Sequence, residues 1–184
     1  MSRFKFIETP IEDLMVVERQ FARDKRGFFS RFFCSDELAE AGFRAPVAQI
    51  NHTLTARRGA VRGLHFQHPP HAEDKFVSCL RGEIFDVAVD LRRGSATFLR
   101  WHGELLSAGN ARSLLIPKGF AHGFQTLTDD CELLYLHSSP YSAEAEGALN
   151  VGDPSIGITW PLPFGEMSER DAGHPHLTQD FNGI

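Results

Sequence analysis

Apolar and polar residues alternate along this chain in short runs, and Gly or Asp turns separate one run from the next. Successive side chains of a β-strand point to opposite faces, so alternation with a period of two is typical of strands. The runs predict strands at residues 5–9, 14–19, 28–33, 47–54, 60–66, 75–80, 83–90, 97–106, 113–116, 123–127 and 131–137. Many short strands joined by tight turns predict an all-β sandwich or jelly roll.

In the strand at residues 83–90, Phe85, Val87 and Val89 are predicted to share one face, and the other face carries Ile84, Asp86, Ala88 and Asp90. Residues 35–42 carry helix signals instead, with Ser35 as the predicted N-cap and Gly42 as the end. A helical turn is expected at residues 168–171. The expected fold is therefore all-β with one or two short peripheral helices, and no repeat or linker divides residues 1–184 into more than one domain.

Composition narrows the class of protein. With 184 residues, 42% of them hydrophobic, the chain can bury a core without disulfides. The cysteines Cys34, Cys79 and Cys131 are three in number and widely spaced, which predicts free thiols in a reducing cytoplasm. No long apolar run occurs, so neither a signal peptide nor a membrane span is expected.

The net charge of −5 disfavours non-specific binding to nucleic acid or to an anionic membrane. An anionic ligand would need Arg and Lys side chains that are concentrated in a pocket. The charge pattern therefore leaves a small-molecule ligand as the expected partner, on the condition that such a pocket exists.

Two of the predicted strand regions carry a histidine beside glycines. Residues 61–67 read Val-Arg-Gly-Leu-His-Phe-Gln, and residues 116–124 read Ile-Pro-Lys-Gly-Phe-Ala-His-Gly-Phe. This pair of motifs resembles the segments with which a cupin-type jelly-roll β-barrel brings two imidazoles to its mouth. We interpret His65 as a base in that cavity.

The metal ligands typical of cupins are altered in this chain. Gln67 stands where a second histidine is usual, and Lys75 is the next charged residue that enters a strand. An ammonium group repels a cation, and divalent sites need deprotonated donors. The sequence therefore predicts no metal and no other cofactor.

Beyond the cupin pattern, the chain resembles the dTDP-4-dehydrorhamnose 3,5-epimerase family over about residues 26–171. The matching motifs are Arg-Gly-Phe-Phe at 26–29, Arg-Gly-Leu-His-Phe-Gln at 62–67, Lys75, Asp-Val-Ala-Val-Asp-Leu-Arg at 86–92, Ser-Ala-Thr-Phe at 95–98, the 116–124 motif, Leu-Tyr at 134–135 and Asp-Pro at 153–154. The resemblance implies a metal-free jelly-roll homodimer. It also implies epimerisation of a nucleotide-linked 4-keto-6-deoxy sugar at carbons next to the ketone.

The resemblance assigns the catalytic roles to four residues. His65 would remove the proton α to the ketone, which needs a base with a pKa near neutral pH. Asp171 would orient its imidazole, and Tyr135 would deliver a proton to the opposite face. Lys75 would stabilise the enolate oxygen at C4. The competing interpretations are a core histidine, a solvated tail carboxylate, a core tyrosine and a surface lysine.

Binding residues follow from the same resemblance. Arg26 and Arg62 are expected to bind the diphosphate, because a guanidinium matches phosphate oxygens. Further contacts to sugar or nucleotide are expected from Gln49, Asn51, His122, Tyr141, Glu146 and Arg170. The remaining histidines are expected in loops or on the surface: His52, His68, His71, His102, His137, His174 and His176.

The chain departs from the family pattern at Arg31, Ile50, Leu136 and Arg170. These departures predict intact proton chemistry with an altered binding rim, and they leave open whether one or two carbons are epimerised. Two other functions also remain open. One is a metal-dependent cupin isomerase or dioxygenase, and the other is a non-catalytic jelly roll that binds nucleotide sugars.

Overall fold

The architecture comes from a computed structural model that describes residues 2–184. Thirteen strands and two short helices follow one another along the chain: β1 (Phe4–Glu8), β2 (Met15–Arg19), β3 (Phe21–Asp24), β4 (Gly27–Ser30), α1 (Ser35–Glu40), β5 (Gln49–Thr55), β6 (Val61–Gln67), β7 (Lys75–Arg81), β8 (Glu83–Asp90), β9 (Trp101–Ser107), β10 (Arg112–Ile116), β11 (Phe120–Thr126), β12 (Cys131–His137), β13 (Glu146–Ala148) and α2 (Glu169–Ala172). The predicted all-β class is confirmed.

The strands form two large antiparallel sheets and one separate hairpin. The six-stranded sheet has the order β1-β2-β10-β7-β12-β5, and the five-stranded sheet has the order β13-β6-β11-β8-β9. Within residues 2–184, strands β3 and β4 pair only with each other. Neighbours in the large sheets are mostly far apart in sequence, as in the predicted jelly roll.

The main core lies between the two sheets. It joins Val77, Leu114 and Leu133 of the six-stranded sheet to Ile84 and Phe124 of the five-stranded sheet. Each of these side chains is almost completely buried. Burial of apolar surface stabilises such a core by about 25 cal/mol per Å².

Each sheet is also covered on its outer face. Leu38 of α1 and nearby Phe43 cover Phe76 and Leu115 of the six-stranded sheet. Val87 and Val89 of β8 pack with C-terminal residues such as Leu177. Since Ile84 and Ala88 belong instead to the core between the sheets, the predicted two faces of this strand are confirmed.

Helix α1 begins one residue earlier than the N-cap prediction. Cys34, not Ser35, is the N-cap, and its carbonyl accepts the first helical hydrogen bond from Leu38. The Ser35 hydroxyl contacts Asp36 instead, and α1 has no side-chain cap. Ser168, by contrast, caps α2 by accepting a hydrogen bond from the backbone N–H of Asp171.

Several predicted strand boundaries were wrong. Residues 97–100 lie outside any strand, because residues 96–99 form a turn in which Asp90 accepts hydrogen bonds from the hydroxyls of Ser95 and Thr97. Strand β4 ends at Ser30, three residues early, and β11 starts at Phe120, which pairs with Asp90 of β8. The prediction also missed β13, which pairs with β6.

Within residues 2–184, the two helices span six and four residues, and neither is long and apolar enough to cross a membrane.

Candidate active site

A cavity of about 270 Å³ lies between the two sheets and receives side chains from both. The six-stranded sheet contributes Asn51, Thr53, Lys75, Tyr135 and His137. The five-stranded sheet contributes Arg62, His65, His122, Phe124 and Glu146. The histidine motifs and the expected tyrosine therefore meet across one cavity.

Glycines allow the two histidine-bearing strands to approach closely. A Cβ on Gly63 would lie 2.5 Å from Gly123 Cα, and a Cβ on Gly123 would lie 2.7 Å from the carbonyl oxygen of Arg62. Strand β6 bulges here, since three residue steps from His65 to Arg62 oppose two on β11. The glycines thus set the register in which His65 pairs directly with His122.

His65 and Asp171 form a buried pair although they lie 106 residues apart in the chain. The imidazole Nε2 donates to Asp171 Oδ1 at 2.9 Å, and 28% of the His65 side chain and 6% of the Asp171 side chain are exposed. The serine cap of α2 fixes the backbone that presents Asp171. His65 lines the cavity. Because Nε2 is bonded to Asp171, Nδ1 is the nitrogen of His65 that remains for a ligand.

The surroundings keep this pair in the charge state that a base requires. Burial lowers the pKa of His65 below its ordinary value, and the nearby charges of Lys75 and Arg170 add to this, while Asp171 opposes it. Burial alone would raise the pKa of Asp171, but the hydrogen bond from His65 lowers it overall. Near neutral pH the imidazole is therefore neutral and the carboxylate ionised.

The shifts in the pKa values of His65 and Asp171 determine how the reaction rate should depend on pH. If His65 is the expected base, its neutral imidazole is the active form, and kcat/KM should fall with decreasing pH through a pKa below about 6.5. Asp171→Asn removes the charge that favours the imidazolium, so the acid limb should move to lower pH. The lost orientation should lower the neutral-pH rate by roughly 10²-fold.

The measurement is a pH profile of kcat/KM from about pH 5 to about pH 8, the range in which His titrates. Asp180→Asn, at an exposed position, is the control and should leave both the limb and the rate unchanged. An acid limb that stayed in place in Asp171→Asn would contradict the role given to the carboxylate.

Tyr135 faces the histidines from the other sheet. Burial raises the pKa of its phenol, which therefore stays protonated at neutral pH. Its ring meets His122 edge to face at 6.1 Å and stacks on His137 at 6.1 Å. A neutral phenol in this position can donate a proton.

Lys75 is the buried cation of the cavity. Its Nζ donates to the backbone oxygen of His65 at 3.2 Å and lies 3.3 Å from Glu73 Oε1. The other Glu73 oxygen accepts from His137 Nδ1 at 2.8 Å. Burial opposes ionisation of Glu73, but His137 and Lys75 lower its pKa overall. An ammonium has three protons, so one remains for a ligand in the cavity.

A second histidine–aspartate pair lies beside the first. His122 Nε2 donates to Asp86 Oδ1 at 2.8 Å, and both side chains are buried. Asp86 comes from the inward face of β8, and β8 pairs with β11. The carboxylate fixes the orientation of His122 at the cavity wall.

The rim of the cavity is polar. Arg170 Nη1 and the Tyr141 hydroxyl both donate to Glu146 Oε2, at 3.2 and 3.1 Å. Gln49 does not line the cavity but donates to Asn51 Oδ1 and accepts from the backbone N–H of Tyr141. It therefore positions two of the other predicted binding residues.

Positive charge is concentrated in the cavity, as an anionic ligand requires. The cavity receives Arg62, Lys75 and Arg170 together with two glutamates. Glu73 is paired with Lys75 and Glu146 with Arg170. Within residues 2–184 no carboxylate pairs with Arg62, whose guanidinium stays available for phosphate.

Arg26 does not reach this cavity within the single chain. It lies at the turn of the β3–β4 hairpin, 83% exposed, and pairs with Asp24 at 2.6 Å. Phe28 and Phe29 beside it are also exposed. The predicted diphosphate contact from Arg26 would therefore require a second copy of the chain.

Most of the departures from the family pattern lie away from the cavity. Leu136 is buried in the cluster under α1, Ile50 is 61% exposed, and Arg31 pairs with Glu37. Of these departures, only Arg170 lines the cavity. The predicted alteration of the binding rim therefore rests on Arg170 within the single chain.

Two histidines that were expected in loops or on the surface contribute to the site. His137 lines the cavity and binds Glu73, and His174 packs edge to face against His65. The position of His137 could have been predicted, because His137 lies two residues after Tyr135 on the same strand and therefore points to the same face of the sheet. Glu73 and Asp86 were also missed as partners of the site residues.

Gln67 and Lys75, which stand where cupins usually have metal ligands, do not suit a divalent cation. The Gln67 amide donates to the carbonyls of His71 and Pro140 and accepts from the backbone N–H of Ser142. Lys75 places an ammonium where a carboxylate ligand would be needed. These residues favour chemistry that uses the protein's own acids and bases.

Comparison with known proteins gives a consistent result. The family model described as dTDP-4-dehydrorhamnose 3,5-epimerase matches residues 8–179. An enzyme of that name from Salmonella typhimurium is 43% identical over 175 residues, which cover 94% of this chain and 95% of the relative.

Solved structures agree with the sequence comparison. An epimerase of the same name from Bacillus anthracis, with TDP and PPi bound, has a TM-score of 0.91 and 39% identity, covering 95% of this chain and 99% of its own. A 3′-monoepimerase from Streptomyces bikiniensis, in complex with dTDP-quinovose, has a TM-score of 0.84 and 36% identity, covering 91% and 85%. The chain therefore belongs to the dTDP-4-dehydrorhamnose 3,5-epimerase family of isomerases.

Proposed function

We propose that this protein epimerises a dTDP-linked 4-keto-6-deoxy sugar without a metal ion, with His65 as base and Tyr135 as acid. One observation carries the proposal. His65, with its Asp171 partner, and Tyr135 belong to different sheets but line the same cavity. Inversion needs a proton to leave from one face of the sugar and another to arrive at the opposite face. A base and an acid on opposite walls meet that need.

The chemistry begins with transfer of a proton from the carbon next to the C4 ketone to His65 Nδ1. The electron pair moves to the ketone oxygen, and the ammonium of Lys75 stabilises the resulting enolate. Tyr135 then delivers its phenolic proton to the other face of the same carbon. Proton exchange with solvent restores both side chains.

The diphosphate of the ligand is assigned to Arg62, which has the unpaired guanidinium described above. The pairing of Tyr141 and Arg170 with Glu146 at the rim supports a role in holding the nucleotide part. His122 and Asn51 line the cavity and are assigned to the sugar. The relatives' printed ligands, TDP and dTDP-quinovose, support a dTDP-linked substrate.

The test is incubation with a dTDP-4-keto-6-deoxyhexose in deuterated water, followed by proton NMR. Deuterium should enter C3, and also C5 if the enzyme acts at both carbons. Metal-stripped protein should react at least as fast as untreated protein, whereas a metal-dependent cupin would lose activity. Tight binding of several such sugars without exchange would identify a non-catalytic binding protein and refute the proposal.

The number of carbons inverted is a separate question, because similar structures include a 3′-monoepimerase. The family model and the Salmonella typhimurium relative carry the 3,5-epimerase name, which favours action at both carbons. Deuterium at C3 alone, at long reaction times, would instead assign the protein to the monoepimerases.

Tyr135→Phe should separate the two proton transfers. The variant keeps the His65 base, so loss of the C3 proton should continue while inversion slows by about 10²-fold or more. The ratio of deuterium incorporation to epimer formation, read from one NMR time course, measures this. Tyr141→Phe should raise KM without changing the ratio. Equal losses of exchange and inversion in Tyr135→Phe would argue against Tyr135 as the acid.

We infer a homodimer in which the exposed β3–β4 hairpin brings Arg26 to the partner's site, so light scattering should give twice the mass of the chain.

The free cysteines Cys34, Cys79 and Cys131 support a location in the reducing cytoplasm. Residues 1–184 are proposed to act as one catalytic domain.

A further inference from the structure

The carboxylate that orients His65 also faces a second imidazole. His174 Nε2 lies 3.3 Å from Asp171 Oδ1, the same oxygen that accepts the hydrogen bond from His65 Nε2. The two rings meet edge to face, with centroids 5.6 Å apart. Asp171 Oδ1 is thus shared by two imidazole nitrogens.

His174 Nε2 is buried and makes no hydrogen bond to any group in residues 2–184. The distance from His174 Nε2 to Asp171 Oδ1 is short enough for a hydrogen bond, but the angle between the two groups is not suitable for one. A buried polar atom without a partner has lost its hydration and gained nothing in return. With its proton on Nδ1, this nitrogen offers a lone pair next to a carboxylate.

We propose that His65, Asp171 and His174 form a binding site for Zn²⁺, and that the bound ion blocks epimerisation. Two imidazoles and one carboxylate are a donor set of three-ligand zinc sites, which keep a fourth position open. Within residues 2–184, these donor atoms all lie within 4.8 Å of one another.

The distances suit the ion. Donors held at about 2.0–2.2 Å by a tetrahedral zinc are roughly 3.3 Å from one another. The separations from Asp171 Oδ1 are 2.9 Å to His65 and 3.3 Å to His174. Because His174 Nε2 already lies at this separation from Asp171 Oδ1, coordination requires only a small rotation of its ring.

The neighbouring charges restrict which cation binds. Arg170 Nε lies 3.9 Å from Asp171 Oδ1, and its guanidinium is also paired with Glu146. This cation weakens binding of any ion at Asp171. Mg²⁺ prefers oxygen ligands and gains little from two imidazoles, whereas imidazole suits zinc. The site should therefore discriminate strongly between the two ions.

Inhibition rests on the proposed function, since it requires His65 to be the base; binding of the ion does not. Coordination at Nε2 removes the hydrogen bond to Asp171 and withdraws electron density from the ring, so Nδ1 becomes a poor base. Both imidazoles must be neutral to bind the ion, so zinc affinity should fall with decreasing pH.

Calorimetry of the metal-stripped full-length protein with ZnCl₂ and with MgCl₂ tests the site itself. We expect one zinc site and no comparable magnesium binding. His174→Ala and His174→Gln should each weaken zinc binding by at least about 10-fold, and the pair keeps the test valid if one variant fails to fold. His176→Ala removes an exposed neighbouring histidine and should bind zinc as the parent does.

Deuterium exchange measured at rising zinc concentrations tests the block. Each rate is divided by that variant's own rate without zinc, and chelation with EDTA should restore it. Half-inhibition should require at least about 10-fold more zinc in both His174 variants. Equal zinc affinity in the parent and both variants would overturn the site. Zinc bound as expected with undiminished exchange would overturn the block, whereas no exchange in zinc-free protein would contradict the proposed function alone.

Discussion

Replacing His65 with asparagine is expected to lower the rate of deuterium exchange by about 10²–10⁴-fold, the contribution typical of a positioned general base. Asparagine keeps a polar group of similar size next to Asp171 but cannot accept a proton near neutral pH. Binding of dTDP, measured by calorimetry, should change little, because Arg62 and the rim residues stay in place.

His71→Asn is the matched control, because His71 lies exposed in the loop that follows β6. This variant should retain full exchange. Retention of more than about a tenth of the parent rate in His65→Asn would show that another group removes the proton. Loss of dTDP binding in the same variant would point to a structural role for His65.

Lys75→Met is expected to slow the reaction by about 10²–10³-fold, the usual loss when one donor to a developing oxyanion is removed. Methionine keeps an unbranched side chain only one atom shorter and removes the charge. Exchange and inversion should fall together, because the enolate precedes both outcomes. A steady-state comparison of kcat with KM should show the loss mainly in kcat.

Loss of Lys75 also removes the ammonium that pairs with the buried Glu73, which within residues 2–184 then keeps only its contact with His137. Removal of one member of a buried ion pair typically destabilises a protein by about 3–5 kcal/mol. The double variant Lys75→Met/Glu73→Gln should recover most of this stability in a thermal melt without recovering activity. A double variant that regained activity would show that Lys75 acts through folding alone, and exposed Lys118→Met is the surface control.

The positions of most strands could be predicted from local signals. The period of two in β8 gave the correct two faces, and turn residues separated most strands correctly. Strand boundaries were predicted wrongly where side chains form hydrogen bonds that compete with strand pairing. At residues 97–100, the Ser95 and Thr97 hydroxyls donate to Asp90 and stabilise a turn. The hydrophobic pattern does not reveal this contact, because the two donor residues lie outside the strand.

Strand parity could have corrected part of the site prediction. His137 has the same parity as Tyr135, and Leu136 has the opposite one. The structure accordingly places His137 in the cavity and Leu136 in the cluster under α1. Ile50 faces away from the cavity for the same reason, since Asn51 faces into it.

Contacts across long stretches of chain could not be predicted from the pattern. Asp171 comes from a segment without periodicity, and its pairing with His65 was expected only from the family resemblance. His174 carried no signal at all, because it lies in the same segment outside any strand or helix. Such contacts depend on the path of a loop, which single-sequence reasoning does not determine.

The most direct measurement is a crystal structure of the His65→Asn variant with a dTDP-4-keto-6-deoxyhexose bound. The sugar should lie between residue 65 and the Tyr135 hydroxyl, with each within about 3.5 Å of opposite faces of the reacting carbon. The ketone oxygen should accept a hydrogen bond from Lys75. A sugar bound outside this cavity, or one with residue 65 and Tyr135 on the same face of its ring, would contradict the mechanism.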